Sequence, residues 1–208
     1  MKKREEKQEN KIVAHKNLIT TEDKDESITI SELLFEWAGA IFTALIIVLL
    51  VLTFFVRQVT VSGSSMTDTL KNDDRLLVTN FMYTPQNGDI VIISHGNSYS
   101  EPIIKRVIAV GGQRLDINYD TNEVIVDGVV QYEPYIKGKT RQLSNSISLE
   151  EYGNIIPEGY IFVMGDNREG SLDSRSKDIG LIPVSNVIGK AQLRIIPFDT
   201  FGSVYFNS

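Results

Sequence analysis

From Trp37 to Val56 the sequence runs WAGAIFTALIIVLLVLTFFV without a charged residue. About 20 such residues are what a helix needs to cross the hydrocarbon core of a bilayer. A cleavable leader has a shorter apolar region that ends in small residues; this run ends Phe54-Phe55-Val56-Arg57, and its small residues, Ala38, Gly39 and Ala40, lie at the opposite end. The stretch therefore reads as a retained transmembrane anchor over residues 36–57. The residues before it, 1–35, carry many charges of both signs and no sustained helical or strand period, which predicts a mobile tail. Lys and Arg in that tail lean its placement toward the cytoplasmic side, although most of them lie far from the span.

Beyond Arg57 the texture changes to short β-like runs, DRLLVTNF, GDIVIIS, PIIKRVIAV, RLDINY, EVIVDG, GYIFVMG and VIGKAQLRIIP, separated by Gly, Asn and Asp. Asn87-Gly88, Gly111-Gly112 and Asp127-Gly128 fall where hairpin turns are needed, and no long amphipathic helix appears. The fold class is mainly β: one N-terminal transmembrane helix, then a mostly antiparallel β domain over residues 58–208. Residues 113–156, more polar and irregular toward their end, read as a small cap insertion.

Composition narrows the chemistry. A net charge of -6 argues against binding nucleic acid, which rests on many Lys and Arg contacts to phosphate. The chain has no cysteine, so disulfides, thiol nucleophiles and thiolate zinc sites are excluded. Its two histidines, His15 and His95, leave little material for a Ser-His-Asp triad, and His95-Gly96-Asn97-Ser98 itself reads as a turn.

Three strings hold residues able to do chemistry. Val61-Ser62-Gly63-Ser64-Ser65-Met66-Thr67-Asp68-Thr69-Leu70 gathers hydroxyls in a Gly-containing turn, which alone is ordinary loop composition. PIIKRVIAVGG sets Lys105 and Arg106 into an apolar strand. Alternation sends them to opposite faces, so one of the two must point toward the side that a one-sided sheet buries. A buried lysine gives up its proton more readily and becomes a usable base near neutral pH. In the third string, Gly165 to Arg175, Asp173 and Arg175 share a face if extended and can pair, or they form only a surface ion pair in a turn.

Together these strings resemble the signature boxes of the type I signal peptidases. Ser65-Met66-Thr67-Asp68-Thr69-Leu70 resembles S-M-x-P-T-L; Gly88-Asp89-Ile90-Val91 resembles G-D-[IV]-V; Lys105-Arg106 followed by Gly111-Gly112 resembles the K-R and G-G box. Gly165-Asp166-Asn167-Arg168 with Ser171, Asp173, Ser174 and Arg175 resembles G-D-N-R-x-x-S-x-D-S-R. The boxes stand in the family's order after one span, over about residues 36–200, in a short chain that looks like the Gram-positive branch. The resemblance implies a membrane-bound serine endopeptidase that removes N-terminal signal peptides from exported preproteins without cofactor or metal, its catalytic domain outside the cytoplasm. It implies Ser65 as nucleophile, Lys105 as base, Ser171 as the hydroxyl that orients the Lys105 amine, and Asp173 and Arg175 as braces of the loop, with Met66 and Ser64 supporting the nucleophile turn. Its partners would be signal-peptide-bearing preproteins and the lipid bilayer.

The sequence departs from the pattern twice. Asp68 replaces the usual proline and, if close to Lys105, would favour the charged amine. Gly63 carries no side chain where some members place a hydroxyl for the oxyanion, leaving the Ser65 N–H, with Ser64 or water as the second donor. A membrane-tethered, non-cleaving assembly factor and a dedicated peptidase with one narrow substrate are the alternatives.

Overall fold

The computed structural model describes residues 30–94 and 101–205. The tail expected before residue 30, including His15, and the turn His95-Gly96-Asn97-Ser98 lie outside the described residues. The chain divides into two units, residues 1–48 and 49–208.

Helix α1 spans Ile30–Phe55. It starts earlier than the uncharged run because the apolar pattern continues back through Leu33, Leu34 and Phe35. Its window Leu33–Val51 has a mean hydropathy of 2.4, and none of that window is buried in the molecule, so it is long and apolar enough to cross a membrane. Such a helix, apolar all round, has no stripe to turn toward a protein core. Thr43 and Thr53 donate their hydroxyls back to the carbonyls of Gly39 and Leu49, at 2.9 and 2.7 Å, which satisfies these polar groups within the helix itself.

The second unit is the β structure that the strand-like runs predict. Its strands are β1 (Val56–Thr60), β2 (Arg75–Thr79), β3 (Ile90–Ile93), β4 (Ile103–Val110), β5 (Leu115–Asn118), β6 (Glu123–Val126), β7 (Val129–Val130), β8 (Tyr160–Met164), β9 (Ile182–Pro183), β10 (Val187–Ile196) and β11 (Gly202–Ser203). The main sheet has the order β1-β2-β10-β3-β4-β8-β9, with β11 also on β10, and all its pairings are antiparallel. Strands β5, β6 and β7 form a second antiparallel sheet. Asp127 and Gly128, both at positive φ (51° and 80°), make the tight turn between β6 and β7, the conformation that an Asp-Gly pair favours.

Three apolar clusters fill the domain. One joins Val61, Met66 and Leu70 to Leu76, Ile90 and Ile92. A second packs Val91, Ile93, Val107, Val163 and Ile182. The third sets Ile108, Phe162 and Met164 of the main sheet against Leu115, Val124 and Val126 of the second. The region 113–156 thus shares a core with the main sheet. It also covers a second face of β4, so that Lys105 and Arg106 are both buried, each 3% exposed, where a one-sided sheet would have buried only one of them.

Candidate active site

The turn after β1 is built on two apolar pegs. Met66 and Leu70 sink into the first cluster, at 2% and 0% exposure, while the Leu70 N–H donates to the Met66 carbonyl at 2.8 Å. Between the strand and these pegs the chain turns out, leaving Ser64 exposed and Ser65 half-buried. The loop at 165–168 grips this turn through its backbone: the Asn167 N–H donates to the Ser65 carbonyl at 3.0 Å, and the Asn167 side-chain amide to the Ser64 carbonyl at 3.1 Å.

Lys105 reaches this turn from the fourth strand. Its Nζ donates to Ser65 Oγ at 2.8 Å. Burial brings the Lys105 pKa down from the ordinary lysine range to about 8; the charges of Asp173 and Asp166 pull upward, and that of Arg175 adds to the depression. A hydroxyl at hydrogen-bond distance from an amine that is neutral in a useful fraction of molecules can lose its proton to that amine and act as a nucleophile.

The third string supplies a buried brace. Asp173 and Arg175 pair in a fork, Nε to Oδ1 at 2.8 Å and Nη2 to Oδ2 at 2.9 Å, with both side chains fully buried, so this is not a surface ion pair. Asp173 Oδ2 also accepts from the Gly165 N–H at 3.0 Å, and Arg175 donates to the carbonyls of Arg168 and Arg141. The Ser171 hydroxyl is buried and makes no hydrogen bond to Lys105 or to any other described group. It packs over Gly165, where an added Cβ would lie 2.2 Å from Ser171 Oγ and 2.5 Å from the Ser65 carbonyl oxygen. Only glycine fits between the two serines.

Asp68, whose charge raised a concern at the sequence level, pairs with Lys137 at 3.2 Å in an exposed bridge and not with Lys105. Charge-bearing residues that sequence reasoning left without a role tie the site together. Arg106 forks onto the buried Asp166 at 2.9 and 2.6 Å and donates to the Gly88 carbonyl, while the Thr69 hydroxyl donates to the same Asp166 at 2.5 Å. Asp166 thereby links the residue beside Lys105 to the turn that holds Ser65. A strap from Glu133 to Thr140 closes over this link: the Tyr135 ring lies 3.8 Å from the Arg106 guanidinium, Arg168 forks onto Glu133 and reaches Thr140, and the Lys137 N–H donates to the Asp166 carbonyl. The only sequence signal was the G-D-N-R string itself; its partners are far away in the chain.

A cleft of about 530 Å³ runs between residues 59–66 on one side and 101–105 on the other, with Ser65 and Lys105 in its lining. Strand β4 pairs with β3 from Ile103 to Arg106, but β8 joins its other edge only from Arg106 onward. Among the described residues, the backbone of Ile103 to Lys105 on that edge has no strand partner. No group of His, Cys, Asp and Glu among the described residues is arranged to hold a metal ion.

The sequence profile of the family described as signal peptidase, peptidase S26, matches residues 34–196. The chain is 35% identical over 173 residues to signal peptidase I of Bacillus licheniformis, a match covering 80% of this chain and 90% of the relative. It is also 35% identical over 182 residues to signal peptidase IB of Staphylococcus aureus strain Mu50, covering 81% and 92%. A solved signal peptidase I from Enterococcus faecalis V583 matches at 25% identity with a TM-score of 0.40, over 52% of this chain and 97% of that one. The chain belongs to the signal peptidase family, peptidase S26, a family of serine endopeptidases.

Proposed function

We propose that this protein is a membrane-anchored peptidase that removes N-terminal signal peptides from exported preproteins, with Ser65 as nucleophile and Lys105 as its base. The observation that carries this reading is the 2.8 Å contact between Lys105 Nζ and Ser65 Oγ, made by a lysine that burial brings to about 8. An extended precursor adds along the open edge of Ile103 to Lys105, the way peptides pair with an exposed strand. The scissile carbonyl then sits at Ser65. Neutral Lys105 takes the Ser65 proton as Oγ bonds to the carbonyl carbon, and the Ser65 N–H, which has no partner among the described residues, faces the developing oxyanion. The lysinium gives the proton to the leaving amine as the C–N bond breaks; water, deprotonated by the same lysine, then attacks the acyl carbon, and the lysinium returns that proton to Ser65 Oγ as the C–Oγ bond breaks.

In this reading residues 36–57 anchor the chain, residues 1–35 form its cytoplasmic tail, and residues 58–208 work on the opposite side of the membrane. The site acts with its own residues and requires no cofactor, while Asp173 and Arg175 brace the loop beside Lys105 and Ser171 packs over Gly165. A non-cleaving assembly factor has no use for a buried, depressed lysine held against a serine hydroxyl. The test is to incubate the detergent-solubilised full chain with a secretory precursor and map the cut by mass spectrometry. Ser65→Ala abolishes product and Ser64→Ala retains most of it; the reverse pattern overturns the assignment.

A further inference from the structure

The cleft lining is uneven in charge. Lys105 is committed to Ser65, and Val59, Ile92, Ile103, Ile104 and Leu172 present only apolar side chains. Glu101 is the one carboxylate in that lining. It is exposed, and it has no ion pair or hydrogen bond among the described residues. A carboxylate in a cleft with no counter-charge among the described residues can interact with whatever charge the cleft's occupant brings.

Its position along the chain fixes which part of the occupant it meets. Glu101 sits in the bend that leads through Pro102 into the open edge Ile103 to Lys105. Strand β4 begins at Ile103 and Glu101 lies in the bend before it, so four residues at about 3.3 Å each bound its distance from Lys105 at roughly 13 Å. A peptide lying extended on the same edge covers that span in about four residues.

We propose that Glu101 is a specificity residue: it favours substrates with Lys or Arg about four residues from the scissile bond, on the side that runs along Ile103, and disfavours Asp or Glu there. This deepens the reading of the cleft as a peptide-binding site and rests on it. The pair is solvent-exposed, so its effect is modest, a few-fold for attraction and a few-fold for repulsion. Lys and Glu substrates then differ by about tenfold in kcat/KM at low salt. The difference shrinks toward unity near 1 M salt, where the Debye length falls to about 3 Å.

The test uses the solubilised full chain and one cleavable precursor in which each position from three to five residues on either side of the cut is changed in turn to Lys, Gln or Glu. Rates are normalised to the Gln substrate of the same enzyme, for the parent and for Glu101→Lys and Glu101→Gln, with thermal melts as the folding control. The expected result is a Lys-over-Glu preference at one position on one side, flattened in Glu101→Gln, reversed in Glu101→Lys and lost in high salt. A ranking unchanged by Glu101→Lys, or a preference spread evenly over both sides, overturns the inference while leaving the peptidase reading intact. If the parent cuts no member of the series, the peptidase reading falls first and this inference with it.

Discussion

Gly165→Ala adds one methyl group at the tightest point of the site. The new Cβ would lie 2.2 Å from Ser171 Oγ, 2.5 Å from Ser171 Cβ and 2.5 Å from the Ser65 carbonyl oxygen. Ordinary contact needs roughly another 1 Å in each case, since packed heavy atoms do not overlap in a close-packed interior. Gly165 has no positive φ, so alanine is not opposed by its own backbone; the whole penalty comes from crowding. Overpacking of this kind costs about 1–3 kcal/mol, or roughly 2–10 °C in Tm for a domain of this size. The effect on rate is larger, because the Ser65 backbone is one of the atoms that must yield, and a shift of about 1 Å in a reacting group costs on the order of 10²-fold. The assay pairs precursor cleavage with a thermal melt. The variant is expected to remain folded and to lose at least about a hundredfold in kcat. Gly165→Ala combined with Ser171→Gly relieves the side-chain clashes but not the one with the Ser65 carbonyl, so it is expected to stay impaired. Activity within about threefold of the parent, with an unchanged melt, would falsify the claim that Gly165 sets the nucleophile's position.

The rate of precursor cleavage is expected to rise with pH along a limb centred near 8, because burial lowers the Lys105 pKa and the neutral base therefore appears below the usual lysine range. Asp68→Asn leaves that midpoint in place, since the Asp68 carboxylate is paired with Lys137; a downward shift would mean that it acts on Lys105 after all. Asp173→Asn leaves Arg175 buried without its counter-charge and is expected to destabilise the domain by about 3–5 kcal/mol, read as a large drop in Tm; a melt within a degree or two of the parent refutes this. Lys105→Arg keeps the positive charge but never supplies a neutral base, so product formation is expected to vanish across the accessible pH range; measurable cleavage would assign the base elsewhere. For sidedness, protease added to intact spheroplasts is expected to cleave a tag in the β domain and spare one near the N-terminus, and the opposite pattern inverts the proposed topology.

The parts of this molecule that were legible in the sequence are those written in a local period. The helix is a run of apolar residues, the strands alternate or run apolar between turn residues, and Asp127-Gly128 states its own turn. The strings that hold Ser65 and Lys105, whose side chains the structure brings to 2.8 Å, were legible through their fixed spacing. The ties between the strings were not. Asp166 receives Arg106 and Thr69 from distant parts of the chain, and Glu133 receives Arg168 from another, and no spacing rule connects them. The same holds for Asp68, whose neighbour Lys137 decides whether its charge matters to the base. Burial on both faces of β4 was hidden for a related reason. It depends on the second sheet and the strap from Glu133 to Thr140 after it folding back over the main sheet, and alternation within β4 carries no information about that.

The placement of β10 in the main sheet has a consequence for the order of assembly. It lies between β2 and β3, so the strand that leads into the Ser65 turn and the strands around Lys105 are joined in one sheet only through a segment near the end of the chain. Pairings of such long range form slowly, because much chain entropy is lost before any contact rewards it. During synthesis β1 and β2 can zip early, yet one edge of β2 stays bare until Val187–Ile196 emerges. Chains that stop before this strand are then expected to hold both candidate residues and assemble neither into a site. The site would come together only as β10 is laid in, long after the apolar helix has left the ribosome.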